Sequence, residues 1–254
     1  MIYEKEYKLA MQAALNAGDY LSSLGEIVVD SQQGKDIKLQ ADRKSEKLII
    51  DMLQETEIPI LSEECGFVGT HKSGREWIID PLDGTANFWK GIRELACVSV
   101  ALWEDGKPIL GVINRFCQGE IYSGIVGEGA WLNEEVIHTS NVEYMGDAVL
   151  ATGFPVKRDY DKESLNGFVA KVQNFKKIRM LGTAAVMGAF VAAGKIDAYT
   201  EEQIMLWDIA ASSAIVKAAG GVAEIQMLKE YQCICRLFAN QMLYDTYSDQ
   251  FYKK

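Results

Sequence analysis

The residues of this sequence that are best suited to chemistry lie in the segment Trp77–Phe88, where two aspartates follow an apolar stretch. Asp80 closes that stretch, and Pro81 has no amide hydrogen to donate, so we expect the strand to end there. Asp83 follows three residues after Asp80. Two carboxylates at a turn, with the backbone carbonyl of Leu82 between them, suit a hard cation because such cations prefer oxygen ligands. The segment therefore predicts a cation site at the end of a strand.

The same turn has features that suit an anion. Gly84 has no side chain, which leaves room for a ligand close to the backbone. If a helix begins at Asp83, the free amide groups of Gly84 and Thr85 face one point and can hold a phosphate. The alternative is an ordinary β-turn in which Asp83 caps the helix and binds no ligand. The segment alone leaves both interpretations open.

Further carboxylates occur where strands are predicted to end or helices to begin. Glu63 and Glu64 follow an apolar segment, although adjacent glutamates on a loop are also typical of solvated surface. Asp42 stands at the start of a predicted helix, where simple capping is an equally good interpretation. Asp208 opens a helix rich in small residues, where the helix dipole favours a negative charge. Taken singly, none of these residues identifies a site.

Two amphipathic helices and a run of short strands must position the first set of carboxylates. Helical spacing of apolar residues predicts one helix over residues 3–24 and a second over 42–54, with Ser45, Leu48, Ile49 and Met52 on one face. The Ala96–Trp103 segment has few polar residues, which is typical of a central strand covered on both faces. Short β-rich segments predict strands over residues 58–61, 77–80, 96–103, 109–115 and 120–124.

Beyond Ala148 the predicted strands and helices alternate, which implies a layered α/β half. The strands are expected over residues 148–152, 178–181, 196–200 and 221–225, and the helices over 162–175, 184–193 and 207–219. We therefore expect residues 1–145 to form a helix pair plus meander sheet that carries most of the candidate ligands. Residues 146–254 are expected to complete the active site as an α/β half, within one continuous structural unit.

Composition and charge restrict the classes of partner. The 254 residues contain 26 Lys and Arg against 36 Asp and Glu, a net charge of −10. Such a surface repels nucleic acid, and it repels small phosphorylated substrates unless bound cations reverse the local field. No apolar run approaches the roughly 18 residues that span a membrane, and the N-terminal segment does not resemble a signal peptide. Five scattered cysteines favour reduced thiols. We therefore expect a cytoplasmic protein that does not take nucleic acid as its substrate and has no membrane partner.

Taken together, these segments resemble the inositol monophosphatase family, part of the magnesium-dependent, lithium-sensitive phosphatase superfamily. Trp77–Phe88 is similar to the first signature of the family, and the segment from Trp207 to Gly221 is similar to the second. Ser62–Glu64, Gly127–Asn133 and Gly182–Ala185 fall in the expected order around them. The resemblance extends from about residue 5 to residue 245.

The resemblance implies a mixed α/β (α+β) fold, the five-layer αβαβα sandwich of the inositol monophosphatase/fructose-1,6-bisphosphatase type, and a homodimer. It also implies a role for each matching position. The positions that match magnesium ligands are Glu63, Asp80, the Leu82 carbonyl, Asp83 and Asp208. The positions that match catalytic residues are Asp42, Glu63 and Thr85. Gly84 and Thr85 match residues that bind the phosphate, and Ala184 and Glu201 match residues that contact the alcohol part of the substrate. Glu64 is expected to lie behind the metal ligands without contacting the ions.

The implied reaction is hydrolysis of a phosphomonoester with two or three Mg²⁺ ions and no phosphoenzyme. Asp42 and Thr85 match the pair that holds the attacking water, which the metal activates. Metal ions also explain how so acidic a protein attracts a phosphate ester, because they neutralise several carboxylates.

The implied substrate is a small polyol or sugar phosphate, with myo-inositol 1-phosphate favoured because Thr85–Phe88 looks like the inositol monophosphatase version of the motif. Nucleotide-bisphosphate phosphatases of the superfamily usually carry Lys-Glu-Phe after the threonine. Fructose-1,6-bisphosphatase, histidinol-phosphatase and 3′(2′),5′-bisphosphate nucleotidase activities remain alternatives. A binding protein with vestigial catalysis is the non-enzymatic alternative.

Two features weaken the substrate assignment more than the metal site. Leu39 stands where the family often has threonine, three residues before Asp42. The segment after Gly221 is short and runs from Glu224 to Arg236 without the usual Gly/Pro-rich turn.

Lys35 and Lys38 flank Asp36 and are candidate cations near the predicted anion site, although each also fits an ordinary surface lysine.

Overall fold

The computed structural model describes residues 2–33, 36–70, 74–154 and 160–252. The helices are α1 (Glu4–Ser23), α2 (Gln40–Leu53), α3 (Thr85–Trp89), α4 (Lys162–Val172), α5 (Ala184–Ala192), α6 (Leu206–Ala218) and α7 (Gln241–Phe251). The strands are β1 (Val29–Gln33), β2 (Asp36–Leu39), β3 (Ile60–Ser62), β4 (Gly66–Val68), β5 (Arg75–Asp83), β6 (Cys97–Glu104), β7 (Lys107–Arg115), β8 (Glu120–Ile125), β9 (Gly129–Leu132), β10 (Glu135–Val136), β11 (Val149–Ala151), β12 (Lys177–Arg179), β13 (Ala198–Met205), β14 (Val222–Met227) and β15 (Gln232–Phe238).

An eight-stranded sheet has the order β10-β9-β8-β7-β6-β5-β3-β4. Its strands are antiparallel to their neighbours except β3 and β5, which run parallel. Side chains of β6 alternate between the two faces: Val98, Val100 and Leu102 pack toward α1, whereas Ala101 and Trp103 pack toward α6. The prediction that this strand is central and covered on both faces is confirmed.

One face of this sheet is covered by α1 and α2. The helix α1 presents Ala10, Ala13, Ala14 and Ala17 at helical spacing, and all four are fully buried. These small side chains allow a close approach between the helix and the sheet.

The other face packs against α5 and α6, which separate it from a second sheet of order β12-β11-β13-β15-β14. In that sheet β11 runs parallel to both neighbours, whereas β15 runs antiparallel to β13 and β14. The outer face of the second sheet packs against α7 and the chain that follows α4. The layers are therefore αβαβα, as predicted.

The middle layer explains why α5 and α6 contain so many small residues. Eight of the nine residues of α5 and nine of the thirteen residues of α6 are buried, because each helix lies between two sheets. A Cβ at Gly111 of β7 would lie 2.2 Å from the carbonyl oxygen of Ala211 in α6. The close contact thus requires glycine at this position of the sheet.

Most predicted elements are confirmed to within three residues at either end, apart from β13, which continues to Met205. Three expectations are wrong. Pro81 does not end β5, because the strand continues through a bulge between Asp80 and Asp83 where no ladder bond is required of the proline. Leu48 is 37% exposed, because Glu46 takes the buried position on α2. Asp83 does not cap a helix; α3 begins after Gly84.

Among the helices of the described residues, none is long and apolar enough to cross a bilayer. The five cysteines are unpaired thiols. The division of the chain at residues 145 and 146 stays a prediction.

Candidate metal-binding site

A cleft of about 600 Å³ opens between the two halves of the chain. It lies at the end of β5, and α3, the start of α5, the end of β13 and the start of α6 complete its walls. The predicted site residues that line it are Glu63, Asp80, Leu82, Asp83, Gly84, Thr85, Ala184, Glu201 and Asp208. Thr183 and Gln203, which also line the cleft, were not among the predicted site residues.

Three carboxylates form the centre of the cleft. One oxygen from each of Glu63, Asp80 and Asp208 lies within 4.8 Å of the other two. Glu63 and Asp80 come together because β3 and β5 are parallel neighbours, with Ser62 paired to Ile79. Asp208 arrives from the first turn of α6, where its carboxylate accepts a hydrogen bond from the Met205 amide at 3.3 Å.

The electrostatics of this cluster oppose ionisation in the absence of a cation. Burial and then the neighbouring Glu64 carboxylate raise the pKa of Glu63 to about 8. Burial followed by repulsion from Glu63 raises the pKa of Asp80 and of Asp208 well above the ordinary value. Burial raises the pKa of Asp83 to about 6. Desolvated, mutually repelling carboxylates are the donor set that a hard cation such as Mg²⁺ stabilises, so these residues fit the ion.

Asp83 links the first half of the chain to the second. Its Oδ2 atom accepts hydrogen bonds from the Thr183 hydroxyl at 2.5 Å and from the Ala185 amide at 2.8 Å. Both donors belong to the start of α5, and Thr183 also caps that helix through the Val186 amide. The position of Asp83 therefore depends on residues 100 positions further along the chain.

The bulge at the end of β5 is held by its own polar groups. The Leu82 amide donates to Asp80 Oδ1 at 3.0 Å, and the Thr85 hydroxyl donates to the Leu82 carbonyl at 2.9 Å. Gly84 has a φ of +86°, and a Cβ there would lie 2.5 Å from the Leu95 carbonyl oxygen. Glycine is required at this turn for both reasons.

Asp42 and Glu64 do not line the cleft but lie behind it. Asp42 is buried in the first turn of α2 and accepts a hydrogen bond from the Leu39 amide at 2.6 Å. Its charge contributes to the raised pKa of Glu63, which places it near the cluster. Glu64 forms an ion pair with Lys38 at 2.7 Å, and Lys38 itself lines the cleft. Lys35 lies outside the described residues.

Sequence reasoning missed Glu46, which positions the turn that carries Glu63. The buried Glu46 carboxylate accepts hydrogen bonds from the Ser62 hydroxyl and, at 3.0 Å, from the Cys65 amide. Glu63 lies between these two donors in the chain. A charged residue on the apolar face of a predicted helix was the available signal.

Asn87 belongs to the Trp77–Phe88 segment, and its side chain joins this segment to the second half of the chain. The Asn87 amide nitrogen lies 3.0 Å from the Leu95 carbonyl, 2.8 Å from the Leu181 carbonyl and 3.2 Å from the Gly182 carbonyl. It therefore fixes the chain immediately before Thr183, whose hydroxyl binds Asp83. Nothing in the local sequence indicates these distant acceptors.

The cleft is also lined by the residues predicted to contact an alcohol, Ala184 and Glu201. Glu201 is buried, and its Oε2 atom accepts a hydrogen bond from the Tyr199 hydroxyl at 2.8 Å. A Cβ at Gly153 would lie 2.6 Å from the same oxygen, so Gly153 makes room for the Glu201 carboxylate. Ala184 contributes the small first residue of α5.

Comparisons with known proteins cover both halves of the chain. A family model described as the inositol monophosphatase family matches residues 2–226. A Xylella fastidiosa protein named Nus factor SuhB is 36% identical over 220 residues, covering 84% of this chain and 79% of the relative. Inositol-1-monophosphatase of Mesorhizobium japonicum is 35% identical over 221 residues, covering 83% and 82%. A solved inositol monophosphatase from Anabaena (Nostoc) sp. PCC 7120 has a TM-score of 0.85 at 28% identity, covering 98% and 95%.

Proposed function

This chain belongs to the inositol monophosphatase family and is a phosphomonoesterase, and we propose that it hydrolyses a small polyol phosphate, with myo-inositol 1-phosphate as the substrate. The observation that carries the proposal is the convergence of Glu63, Asp80 and Asp208 within 4.8 Å of one another in a cleft that Glu201 also lines.

The family is magnesium-dependent, and we propose that Glu63, Asp80, the Leu82 carbonyl, Asp83 and Asp208 hold two or three Mg²⁺ ions. When bound, Mg²⁺ supplies positive charge for the phosphate oxygens and lowers the pKa of a water molecule. The raised pKa values of Glu63 and Asp83 support this assignment, because a cation offsets the repulsion that causes them.

The protein's own groups bind and orient the substrate in this proposal. The amides of Gly84 and Thr85 bind the phosphate, and the Thr85 hydroxyl orients the attacking water, while Asp42 acts from behind the cleft through its charge on Glu63. Because Thr85 already donates to the Leu82 carbonyl, its hydroxyl oxygen retains its lone pairs to accept a hydrogen bond from water. Ala184 and Glu201 contact the alcohol part of the substrate. Glu64 lies behind the ligands, and its charge raises the pKa of Glu63.

The cleft supports a small polyol as the alcohol. A volume of about 600 Å³ is ample for one phosphorylated ring, and the Glu201 carboxylate can accept hydrogen bonds from its hydroxyl groups. The inositol-1-monophosphatase name of the Mesorhizobium japonicum relative supports the same class. From its membership of the family we also propose that the protein is a homodimer.

The name of the Xylella fastidiosa relative describes a Nus factor and so raises a binding role. We propose that catalysis is the primary role of this chain, because the cleft retains its full set of carboxylates. The net charge of −10 disfavours direct binding to nucleic acid.

The proposal is tested by phosphate release from inositol 1-phosphate, fructose 1,6-bisphosphate, histidinol phosphate and 3′-phosphoadenosine 5′-phosphate, with and without Mg²⁺ and with added Li⁺. We expect Mg²⁺-dependent, Li⁺-inhibited release with inositol 1-phosphate as the preferred substrate. Preference for another ester would overturn the substrate, and no release from any ester in the presence of Mg²⁺ would overturn the assigned reaction.

A further inference from the structure

Gln203 has an unusual backbone conformation for a residue inside a strand. Its φ is +62°, in the left-handed region that residues with a side chain rarely adopt. The other residues of this kind in the described chain, Glu57, Asp105, Asn133, Glu230 and Tyr231, lie in turns or at the end of a short helix. Gln203 instead lies within β13 and lines the cleft. A strained residue at a cleft wall points to a function that offsets the strain.

The strain comes from a β-bulge. Glu202 pairs with Ile234 and Ile204 pairs with Cys233, so the register shifts between them and Gln203 is the extra residue of the bulge. The bulge breaks the usual alternation of side chains along the strand, and as a result Gln203, Ile204 and Met205 all line the cleft. Without it, the strand could not present three consecutive residues to the same cavity.

Contacts on both sides of the bulge hold it in place. The Glu202 carboxylate accepts a hydrogen bond from Lys171 at 2.5 Å, and Lys171 also donates to the Tyr252 hydroxyl at 3.1 Å. On the cleft side, Tyr199 donates to Glu201. The residues that flank Gln203 are therefore fixed independently of Gln203 itself.

We propose that Gln203 is a specificity-determining residue, whose side-chain amide forms hydrogen bonds with ring hydroxyls of the polyol phosphate beside Glu201. The inference rests on the proposed phosphatase function. A carboxylate only accepts hydrogen bonds, whereas an amide both donates and accepts, so the two side chains together match the donor and acceptor groups of neighbouring hydroxyls. A phosphate ester whose ring carries no free hydroxyl groups makes neither interaction.

The test compares inositol 1-phosphate with cyclohexyl phosphate, which has the same ring and ester but no ring hydroxyls. In the Gln203→Gly variant, the ratio of kcat/KM for inositol 1-phosphate to that for cyclohexyl phosphate should fall about 5- to 10-fold, mainly through KM, because a hydrogen bond to the substrate is lost. The Tm should not fall, because glycine adopts positive φ without strain. Gln203→Asn, which keeps the amide and tolerates this conformation, should retain part of the ratio.

Glu57→Gly is the matched control, because Glu57 has a φ of +57° at an exposed turn outside the cleft. It should leave the ratio of the two substrates unchanged. If the wild-type protein hydrolyses neither ester, the proposed function fails. If it hydrolyses both and Gln203→Gly keeps the ratio within about twofold, the specificity role fails while the function stands. A lower ratio accompanied by a lower Tm would show that Gln203 supports the wall, and would also overturn the proposal.

Discussion

Asp83 is the single side chain whose replacement best separates metal binding from folding. Its carboxylate is desolvated, and the hydrogen bonds from Thr183 and Ala185 both reach the same oxygen. An asparagine can accept both bonds through its side-chain oxygen, while it removes the negative charge. We therefore expect Asp83→Asn to lower Mg²⁺-dependent phosphate release at least about 100-fold and to leave the metal-free protein at least as stable as the wild type, because it removes a desolvated charge. Thermal unfolding with and without Mg²⁺, alongside the activity assay, measures both effects.

Asp197→Asn is the control for this substitution. Asp197 is also buried and accepts hydrogen bonds from the Ser140 hydroxyl and the Val149 amide, but it does not line the cleft. Its replacement should leave the rise in Tm caused by Mg²⁺ intact. Wild-type activity in Asp83→Asn, or an equal loss of the Mg²⁺ response in Asp197→Asn, would contradict the assignment of Asp83 as a ligand.

At the residue scale, the sequence identified side chains that act through their own chemistry and missed those that act through a distant contact. Asp80 and Asp83 could be predicted as candidate ligands because their spacing and the neighbouring glycine suit a cation and an anion close to the backbone. The contacts of Glu46 and Asn87 could not be predicted, because the atoms that they bind belong to distant segments. The role of Gln203 could not be predicted either, because the bulge depends on pairing with β15.

At the scale of elements, the first turn of α5 positions Asp83. The Thr183 hydroxyl donates to Asp83 and accepts from the Val186 amide, so it serves the site and the helix together. Thr183→Val keeps the shape of the side chain but removes its hydrogen bonds with Asp83 and with the Val186 amide. We expect it to lower the free energy of unfolding by about 1 kcal/mol and to raise the Mg²⁺ concentration for half-maximal activity about 10-fold. Urea unfolding and a Mg²⁺ titration of activity test the two effects.

Thr183→Ser retains the hydroxyl and should restore the Mg²⁺ requirement to nearly that of the wild type. If Thr183→Val loses stability with no change in the Mg²⁺ requirement, the hydroxyl caps α5 without positioning Asp83.

The elements themselves were predictable where the pattern of apolar residues is long. The helices α1 and α6 and the strand β6 follow from periodicity or from continuous apolar composition. The bulges in β5 and β13 were not predictable, because a bulge is set by pairing with the neighbouring strand. Pro81 shows this directly: its missing amide hydrogen costs no ladder bond, since it falls between the paired residues Asp80 and Asp83.

At the scale of the whole molecule, the raised pKa values predict how stability depends on pH. Glu63 and Asp83 bind protons more tightly in the folded metal-free protein than their ordinary values of 4.5 and 3.8 allow. Their protonation therefore stabilises the fold fully below about pH 4, and this contribution is lost as the pH rises through about 6 for Asp83 and about 8 for Glu63. With a chelator present, the urea concentration at the midpoint of unfolding should decrease as the pH is raised from 5 to 9.

Saturating Mg²⁺ should remove most of this fall, because the ion competes with protons for the same carboxylates. Glu63→Gln should remove the part of the fall that ends near pH 8 in the metal-free protein. A midpoint in chelator that stays constant or rises over the same range would contradict the assigned cause.

The separation of the clustered carboxylates along the chain has a consequence for protein synthesis. Glu63 and Asp80 are made early, but Asp208 is translated more than a hundred residues later and reaches the cluster only when α6 is in place between the sheets. A nascent chain that ends before residue 208 lacks part of this cluster, whatever its other residues have folded into. Under the proposed assignment of Asp208 as a ligand, we expect prematurely terminated products to be inactive toward phosphate esters.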